Sequence, residues 1–362
     1  MRAVLDHGPV ARSTVARIAG LSPAAVSRQC ATLIRSGLLR EIPGPHPPAG
    51  RPHIPVDIDT EQTVVCGAHI AVRHTTLAVL DLRGQVLARE RIPHPAGQDP
   101  GLVLGELAAA VPPVLAGTGR RALGMGVATG GWVDSVAGVI AGHPLLGWHD
   151  VHVRDQLEQL TGLPVRLDGH ARAMVRAEEL FGDRRARSSA VHLFAGNVVD
   201  AAFAVGGTVQ HGPRSASGSV AHLPVPGRTD PCECGRAGCL QAVASDRALA
   251  AQAGQPAASL LAAAGAGDAG AAAVFRRRAR AIGAAAATLL GMLNPGVLIV
   301  AEAGVITLPG CLDVLRAEVR DRRPRDGSPE PPVVASSFGR DVLAVAAGTV
   351  MLAEIYADPV ST

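Results

Sequence analysis

The sequence predicts an α/β protein with a small helix-turn-helix domain at its N-terminus. From about residue 60 the chain alternates buried strand patterns with helical ones, which is typical of an α/β fold. The first 58 residues instead show helical spacing broken by one glycine turn, followed by a Pro/Gly-rich hairpin. With 362 residues, 48% of them hydrophobic, the chain is long enough for two or three folding units.

Composition and charge point to a cytoplasmic protein with a nucleic-acid-binding segment. No run of 18 apolar residues lacks a charge or a Gly/Pro break, and the N-terminus is charged where a signal peptide needs an apolar block. We therefore expect no membrane partner. The net charge of +3 is uneven, because residues 1–56 hold seven arginines against Asp6 and Glu41, a balance of +5. A basic segment on a near-neutral body is typical of DNA-binding proteins.

Two short helices around a glycine turn form the predicted DNA-reading element. Ser22 is a suitable N-cap and Pro23 suits the first helical position, so the second helix should begin there and run to about Ser36, before Gly37. Its exposed face near the start offers small and hydrogen-bonding groups for base edges in a major groove. The expected DNA contacts on this face are Ser22, Ala24, Ala25, Ser27 and Arg28.

A wing is predicted next, as two short strands around a Pro/Gly-rich tip in LLREIPGPHPPAGRPHIPVDID. Arg51, beside a proline at the tip, can enter a narrow minor groove and completes the expected DNA contacts. The alternative is a three-helix scaffold that does not touch DNA. Only MRAVLD precedes HGPV, where such domains usually have a full first helix, and the sequence leaves open whether the true start codon lies upstream of Met1.

The body shows three sets of predicted elements. Two strands around an Arg-Gly turn are predicted in LAVLDLRGQVLARERIP. Buried strands with glycine-rich turns are predicted in ALGMGVATGGWVD and AVHLFAGNVVDAAFAVGG. A helix followed by a core strand is predicted in GAAAATLLGMLNPGVLIVAEAG.

Three of the six cysteines lie within eight positions of the loop AHLPVPGRTDPCECGRAGCLQ, residues 221–241. Because cysteines stay reduced in the cytoplasm, the loop favours a metal site over a disulfide framework. Three thiolates and one imidazole satisfy the tetrahedral preference of Zn²⁺, and Gly235 and Gly238 let the chain curl around it. We expect one structural zinc ion per chain, held by His222, Cys232, Cys234 and Cys239. The alternative is a chance cluster of free thiols.

Together these motifs resemble the ROK family (repressors, open reading frames and sugar kinases), specifically its transcriptional regulators. The resemblance covers nearly the whole chain and includes GRP, the DLRG hairpin, PLLGWHDV and GLPVRLDGHARAMVRAEELFG. Its most specific part is a histidine followed by Cys-x-Cys-Gly-x-x-Gly-Cys, the zinc motif of the family. The resemblance implies an actin-like, two-lobed sugar-kinase fold preceded by the winged helix-turn-helix domain.

The domain division expected from this resemblance places the winged helix-turn-helix and linker at 1–58 and the body at 59–362. Within the body, the small lobe is expected at about 59–167 plus a C-terminal helix at 341–362, and the large lobe at about 168–340, with the zinc loop at 222–239. A homodimer or a dimer of dimers is also implied. One recognition helix reads few bases, and paired half-sites remedy that.

The magnesium and phosphate positions of a ROK kinase are replaced in this chain. In place of an aspartate and a Gly-Thr turn, the first strand of the body carries His69, Ala71 and Arg73. The family's Gly-Thr-Gly-Ile-Gly turn becomes Gly-Asn-Val-Val-Asp at 196–200, whose branched side chains and carboxylate oppose a polyphosphate. Paired glycines on the adenosine side become Ala301 and Glu302. We expect no ATP binding.

The sugar-binding positions are replaced as well. His170 stands at the catalytic-base position, and Leu145 replaces an asparagine. Ser219 replaces the glutamate of the family's Glu-x-Gly-His motif. The exchange of acidic and amide groups for basic ones favours an anion over a neutral hexose. The expected ligand contacts are His170, Arg172 and Ser219. Alternatively, these side chains face water or pair with Asp168 or Glu178, and His170 is a structural imidazole.

We interpret the chain as a DNA-binding transcriptional regulator, a repressor, that is not an enzyme. Its expected partners are a double-stranded DNA operator, a second copy of itself and a small phosphorylated or carboxylated metabolite. The joint loss of metal, phosphate and hydroxyl contacts excludes phosphoryl transfer, which depends on positioning and charge neutralisation. Two alternatives stay open: a sugar kinase or other transferase with an appended N-terminal segment, and a regulator whose body binds no small molecule.

Overall fold

The computed structural model describes residues 1–43, 54–95, 98–323 and 330–360. The chain divides into two compact units. The first unit comprises Met1–Ala128, His152–Leu167 and Ala347–Thr362. The second unit comprises Thr129–Val151 and Asp168–Ala346.

The helices and strands of the described residues are numbered in chain order. The helices are α1 Arg2–His7, α2 Arg12–Ala19, α3 Pro23–Arg35, α4 Pro100–Ala116, α5 Val153–Thr161, α6 His170–Phe181, α7 Leu240–Ala244, α8 Asp246–Ala253, α9 Ala257–Gly265, α10 Ala269–Leu293, α11 Ala303–Thr307, α12 Cys311–Arg322 and α13 Val342–Ala357. The strands are β1 Leu39–Glu41, β2 Val56–Ile58, β3 Thr63–Ile70, β4 His74–Leu80, β5 Val86–Pro93, β6 Arg121–Thr129, β7 Trp132–Asp134, β8 Val139–His143, β9 Trp148–Val151, β10 Val165–Gly169, β11 Ser189–Ala195, β12 Val199–Val205, β13 Thr208–Val209, β14 Val297–Glu302 and β15 Val333–Ala335.

The N-terminal elements confirm the predicted helix-turn-helix and wing strands. Helix α3 begins at Pro23, and the Ser22 hydroxyl caps it by accepting a 3.2 Å hydrogen bond from the backbone N–H of Ala25. Gly20 turns the chain between α2 and α3 in the left-handed conformation, with φ 65°. Strands β1 and β2 pair antiparallel, with Leu39 opposite Ile58.

Polar contacts join this domain to the first strands of the body within the first unit. The Arg83 guanidinium lies 2.5 Å from Asp57 Oδ1 in β2 and donates a 3.3 Å hydrogen bond to the carbonyl of Leu5 in α1. The hydroxyl of Thr63 in β3 donates to the carbonyl of Gly37 at 3.0 Å. The arginine of the DLRG turn therefore fixes both α1 and the wing strand β2.

The core of the first unit is a five-stranded sheet with the order β10-β6-β3-β4-β5. Strands β3, β4 and β5 pair antiparallel, and every residue of β3 is buried. Helix α13 lies directly on the sheet, because a Cβ atom on Gly67 would overlap the backbone nitrogen of Gly348. Glycine at 67 is therefore required for this close backbone approach.

The second unit is built on a five-stranded sheet with the order β13-β12-β11-β14-β15. Strand β11 pairs parallel with β14 and antiparallel with β12. Helices α10 and α12 cover the sheet, with Phe275, Leu290 and Leu315 in the core between them. The predicted order of a helix followed by a buried strand is confirmed by α10 and β14.

The compact units differ from the division expected from the sequence. The winged helix-turn-helix shares one unit with the strands that follow it, through the contacts of Arg83 and Thr63. The segment 129–151, expected in the small lobe, belongs to the second unit. The reason is that its residues bond to that unit, since Trp132 Nε1 donates to the Arg214 carbonyl at 2.8 Å and the Ser135 hydroxyl lies 3.1 Å from that of Ser215.

None of the helices in the described ranges combines the length and apolar composition needed to cross a bilayer by itself. Helices α9 and α10 meet these criteria only when taken together, and they are bent by 116° at the break between them.

The contact between β3 and α13 predicts the effect of one added methyl group. Gly67→Ala should lower the free energy of unfolding by about 1–3 kcal/mol, because backbone atoms of α13 must move. Gly105→Ala in α4 is the control, since no atom lies within 4 Å of its added Cβ. The control should gain up to about 1 kcal/mol from helix propensity. Urea unfolding measures both, and equal stability of the two variants would contradict the close packing.

Candidate nucleic-acid interface and metal centre

The expected DNA-reading face of α3 is open to solvent. Ala24, Ser27 and Arg28 are exposed, and Ala25 is half-buried. The opposite face packs Val26, Cys30 and Leu33 into the domain core. Ser22 is also exposed, and its hydroxyl proton stays available because the oxygen acts only as the acceptor of the cap.

Ion pairs separate the arginines of this domain into two groups. Arg2, Arg12 and Arg40 pair with Asp6, Glu41 and Glu61, respectively. Among the residues that the structure describes, no carboxylate pairs with the exposed Arg17 or Arg28. The unneutralised charge thus lies on α2 and α3.

The structure describes the strands of the predicted wing but not its tip. Arg51 and the wing tip lie outside the described residues, whereas the wing strands are in place. Gln29, which the sequence interpretation missed, is exposed beside Arg28. Its amide can pair bidentately with adenine, and its spacing of four residues from Ala25 places it on the same helix face.

The four expected metal ligands come together in the second unit. The ligand atoms of His222, Cys232, Cys234 and Cys239 all lie within 4.8 Å of one another. The Cys232 sulfur is 3.6 Å from His222 Nδ1, and the sulfurs of Cys234 and Cys239 are 3.7 Å apart. Ligands at the usual Zn–S and Zn–N distances around a tetrahedron are separated by about 3.5–3.8 Å. The four residues therefore could hold a tetrahedral metal ion.

Backbone hydrogen bonds shape the loop that carries these ligands. Gly235 donates to the Cys232 carbonyl at 2.9 Å with φ 83°, and Gly238 donates to the Asp230 carbonyl at 2.8 Å with φ 70°. Both glycines adopt the left-handed conformation that lets the chain return toward the ligands. Hydrogen bonds from Arg236 lower the pKa of the Cys234 thiol to about 6, which favours the thiolate that binds metals.

The turn at the family's second phosphate position is occupied by a side chain of the protein. The amide oxygen of Gln241 accepts a hydrogen bond from the Val199 N–H at 2.7 Å. The amide nitrogen of Gln241 donates to the Asn197 carbonyl at 2.9 Å, and the Gly196 N–H is bonded to the Val198 carbonyl. Two of the turn's backbone N–H groups are thus already bonded within the protein and do not face a phosphate.

His170, the residue at the catalytic-base position, faces the carboxylate of Asp200. The His170 ring is buried against Phe194, with ring centroids 4.6 Å apart. Its Nε2 atom lies 3.9 Å from Asp200 Oδ2, and burial raises the pKa of the Asp200 carboxyl to about 7. With a pKa of about 7 the Asp200 carboxyl is only partly ionised at neutral pH, and its ionised form opposes an anionic ligand at His170.

Glu302 occupies the adenosine-side position with a buried ion pair. Its Oε2 atom accepts the Val305 N–H at 2.7 Å, and its Oε1 atom lies 3.0 Å from Arg278 Nη1. Both side chains are fully buried. A glycine here would leave open space, whereas Glu302 and Arg278 fill it.

Arg172 pairs with Asp168, which is the alternative to a ligand contact given in the sequence analysis. Its guanidinium donates to Asp168 Oδ1 at 2.6 Å and to the carbonyls of Ser215 and Val133 at 2.9 and 3.1 Å. The side chain is 8% exposed. The pairing with Asp168 satisfies the buried charge, so Arg172 anchors α6 to β7 and to the turn before residue 216.

The remaining predicted positions are dispersed. Ser219 is exposed in the loop before the metal ligands, and Leu145 is half-buried. His69 is buried at the end of β3, while Ala71 and Arg73 lie in the turn between β3 and β4.

Sequence comparison identifies the family of the chain. A model described as the ROK family matches residues 65–354. The chain belongs to the ROK family. A relative named as a transcriptional regulator, from Mycobacterium tuberculosis strain H37Rv, is 34% identical over 388 aligned positions, covering 99% of this chain and 85% of the relative. A xylose repressor from Caldicellulosiruptor bescii is 25% identical over 252 positions, covering 69% and 63%.

Solved ROK structures confirm the predicted fold class. A ROK family transcriptional regulator, a homologue of the E. coli MLC protein, has a TM-score of 0.77 at 22% identity, covering 98% of this chain and 94% of its own. A ROK glucokinase from Streptomyces griseus, solved with glucose and AMPPNP, has a TM-score of 0.69 at 23% identity, covering 79% and 98%. At these identities the likeness concerns the fold alone.

The Arg172 contacts predict a large cost for removing its partner. Asp168→Ala should lower the free energy of unfolding by about 3–5 kcal/mol, because a buried guanidinium loses its counter-charge. Asp155→Ala is the control, since it breaks a pair in which Asp155 is 60% exposed. The control should cost at most about 1 kcal/mol. If both variants unfold at the same urea concentration, Arg172 is not held as described.

Proposed function

We propose that this ROK protein is a DNA-binding transcriptional regulator that acts as a repressor. The observation that carries the proposal is the exposed N-terminal face of α3, where no carboxylate of the described residues pairs with Arg28. The chain is also similar over 99% of its length to a protein named as a transcriptional regulator. A helix presented in this way can enter a major groove with its first residues against base edges.

The contacts divide into reading and positioning roles. Ser22, Ser27 and Arg28 offer donors to base edges or phosphates, while Ala24 and Ala25 allow close approach and contact with thymine methyl groups. Arg51 extends into the adjacent minor groove. The contacts of Arg83 with α1 and β2 would transmit movement of the body to the DNA-binding face.

The regulator acts as a dimer or a dimer of dimers. A single α3 contacts too few base pairs for useful affinity at physiological salt, so two copies must read paired half-sites. The operator should therefore have two-fold symmetry.

The body does not transfer phosphoryl groups in this proposal. The Val199 N–H is bonded to Gln241, a glutamate ion pair fills the adenosine-side position, and His170 faces Asp200. Phosphoryl transfer needs donors and a metal aligned on the phosphates, and these positions supply neither. The likeness to a glucokinase supports the fold and does not favour the kinase alternative.

A structural zinc ion completes the proposal. The tetrahedral separation of three sulfurs and one imidazole nitrogen fits Zn²⁺, whose bound set leaves no position for substrate. The metal would hold residues 222–239 together, a segment with few buried apolar side chains.

DNA binding by the arginines is tested with a duplex from the gene's own promoter region. Arg28→Ala and Arg51→Ala should each weaken binding by about 1–3 kcal/mol, because a guanidinium contact to a base or phosphate is lost. Arg91→Ala, an exposed arginine of β5, should leave it unchanged. Fluorescence anisotropy at fixed salt measures the three. Absence of salt-sensitive binding by the unmodified protein, with no consensus selected from random DNA, would contradict the regulator.

Zinc binding is tested by elemental analysis of freshly purified protein. About one zinc ion per chain should copurify, and Cys234→Ser should lower metal content and stability together, because metal binding energy is folding energy. Cys311→Ser, a buried cysteine of α12, should keep its zinc. Protein purified without chelators that contains no zinc would contradict the site.

A further inference from the structure

Arginine side chains line a cavity in the second unit. The cavity has a volume of about 250 Å³ and is enclosed by α10, α12, α7, α8 and the start of the metal loop. Five arginines contribute to its wall, namely Arg228, Arg277, Arg278, Arg280 and Arg322. Glu318 is the one acidic residue among the described residues of the wall.

Three of these arginines already have carboxylate partners. Arg228 pairs with Asp230 at 2.7 Å, and Arg322 pairs with Glu318 at 2.5 Å. Arg278 Nη1 lies 2.9 Å from Asp246 and 3.0 Å from Glu302. Five guanidinium groups against these four carboxylates leave one net positive charge at the cavity.

Arg277 and Arg280 supply the unneutralised charge. Both are exposed, and no carboxylate within the described ranges pairs with either. They stand three residues apart on α10, so their side chains project from the same face. Like charges at this spacing destabilise a helix, and an anion between them would remove that repulsion.

The buried Arg278 belongs to the wall, but its charge serves the fold. Its side chain is fully buried, and its Nη1 atom lies between Asp246 and Glu302, neither of which lines the cavity. The charge open to a ligand is therefore that of Arg277 and Arg280.

The floor of the cavity sets the size of a ligand. Ala281 and Ala284 of α10 line it with methyl groups, and Val225, Val243 and Leu249 add apolar walls. A volume of about 250 Å³ is at the small end of ligand sites, which suits a compact molecule. Guanidinium groups match the planar oxygens of carboxylates and phosphates, so the charge and the size together indicate a small polyanion.

We propose that this cavity binds a small polyanion, a metabolite with two or more phosphate or carboxylate groups, held by Arg277 and Arg280. The anionic ligand expected from the sequence at His170 is thereby assigned to another site, away from the Asp200 carboxylate. The proposal concerns binding alone and does not depend on the DNA-binding role.

Isothermal titration calorimetry of the full-length, zinc-containing protein tests the proposal at one fixed ionic strength. The probes are inorganic phosphate, pyrophosphate and citrate. Pyrophosphate or citrate should bind with a submillimolar Kd and more tightly than phosphate. Arg277→Ala and Arg280→Ala should each weaken that binding about tenfold or more, because a charge-assisted hydrogen bond is lost.

Arg276→Ala is the matched control, since Arg276 is exposed on the same helix but is not part of the wall. It should change the Kd less than about twofold. Absence of binding by all three probes at millimolar concentration would overturn the proposal. So would equal weakening by Arg276→Ala, which would indicate general attraction to a basic helix, or displacement of pyrophosphate by duplex DNA, which would make this surface part of the DNA interface.

Discussion

The ion pair between Arg172 and Asp168 holds together the part of the second unit where ROK kinases bind sugar. A buried guanidinium must keep its partners, and Arg172 keeps Asp168 together with the carbonyls of Val133 and Ser215. The first helix of that unit, one strand of the three-stranded sheet and the turn before residue 216 are thereby joined through one side chain. Three of the five N–H groups of Arg172 are thereby bonded within the protein.

Buried polar groups also have partners within the protein at the positions where ROK kinases bind nucleotide. A backbone N–H or buried carboxylate must have a partner, and here the partners belong to the protein: Gln241 for the turn at 196–199 and Arg278 for Glu302. Each contact stabilises the fold and at the same time occupies a position that a phosphate or adenosine would need. These contacts support the proposal that the kinase-like body is a scaffold. Among the described residues, exposed arginines without a paired carboxylate lie on α2 and α3 and at the cavity beside α10.

Much of the fold could be predicted because local signals agreed with tertiary ones. The Ser-Pro start of α3, the left-handed Gly20 and the strand patterns around DLRG are determined by nearby residues, and the structure confirms them. The clustering of the four candidate metal ligands could be predicted because their spacing along the loop already limits their geometry. In contrast, the sequence left Arg172 open between a ligand contact and a pair with Asp168, since nothing local shows that Val133 and Ser215, some forty residues away on either side, present carbonyls to it. The cavity arginines were missed for the same reason, because its wall is assembled from segments that are distant in the chain.

In the proposed function, internal contacts have replaced nucleotide binding in the ROK body, and the protein regulates transcription by binding DNA. Calorimetric titration of the full-length protein with Mg-ATP tests it most directly, with and without glucose. We expect no saturable heat at millimolar ATP and no shift of the thermal unfolding midpoint, since a ligand stabilises only a native state that binds it. Saturable binding of Mg-ATP, strengthened by glucose, would contradict the claim.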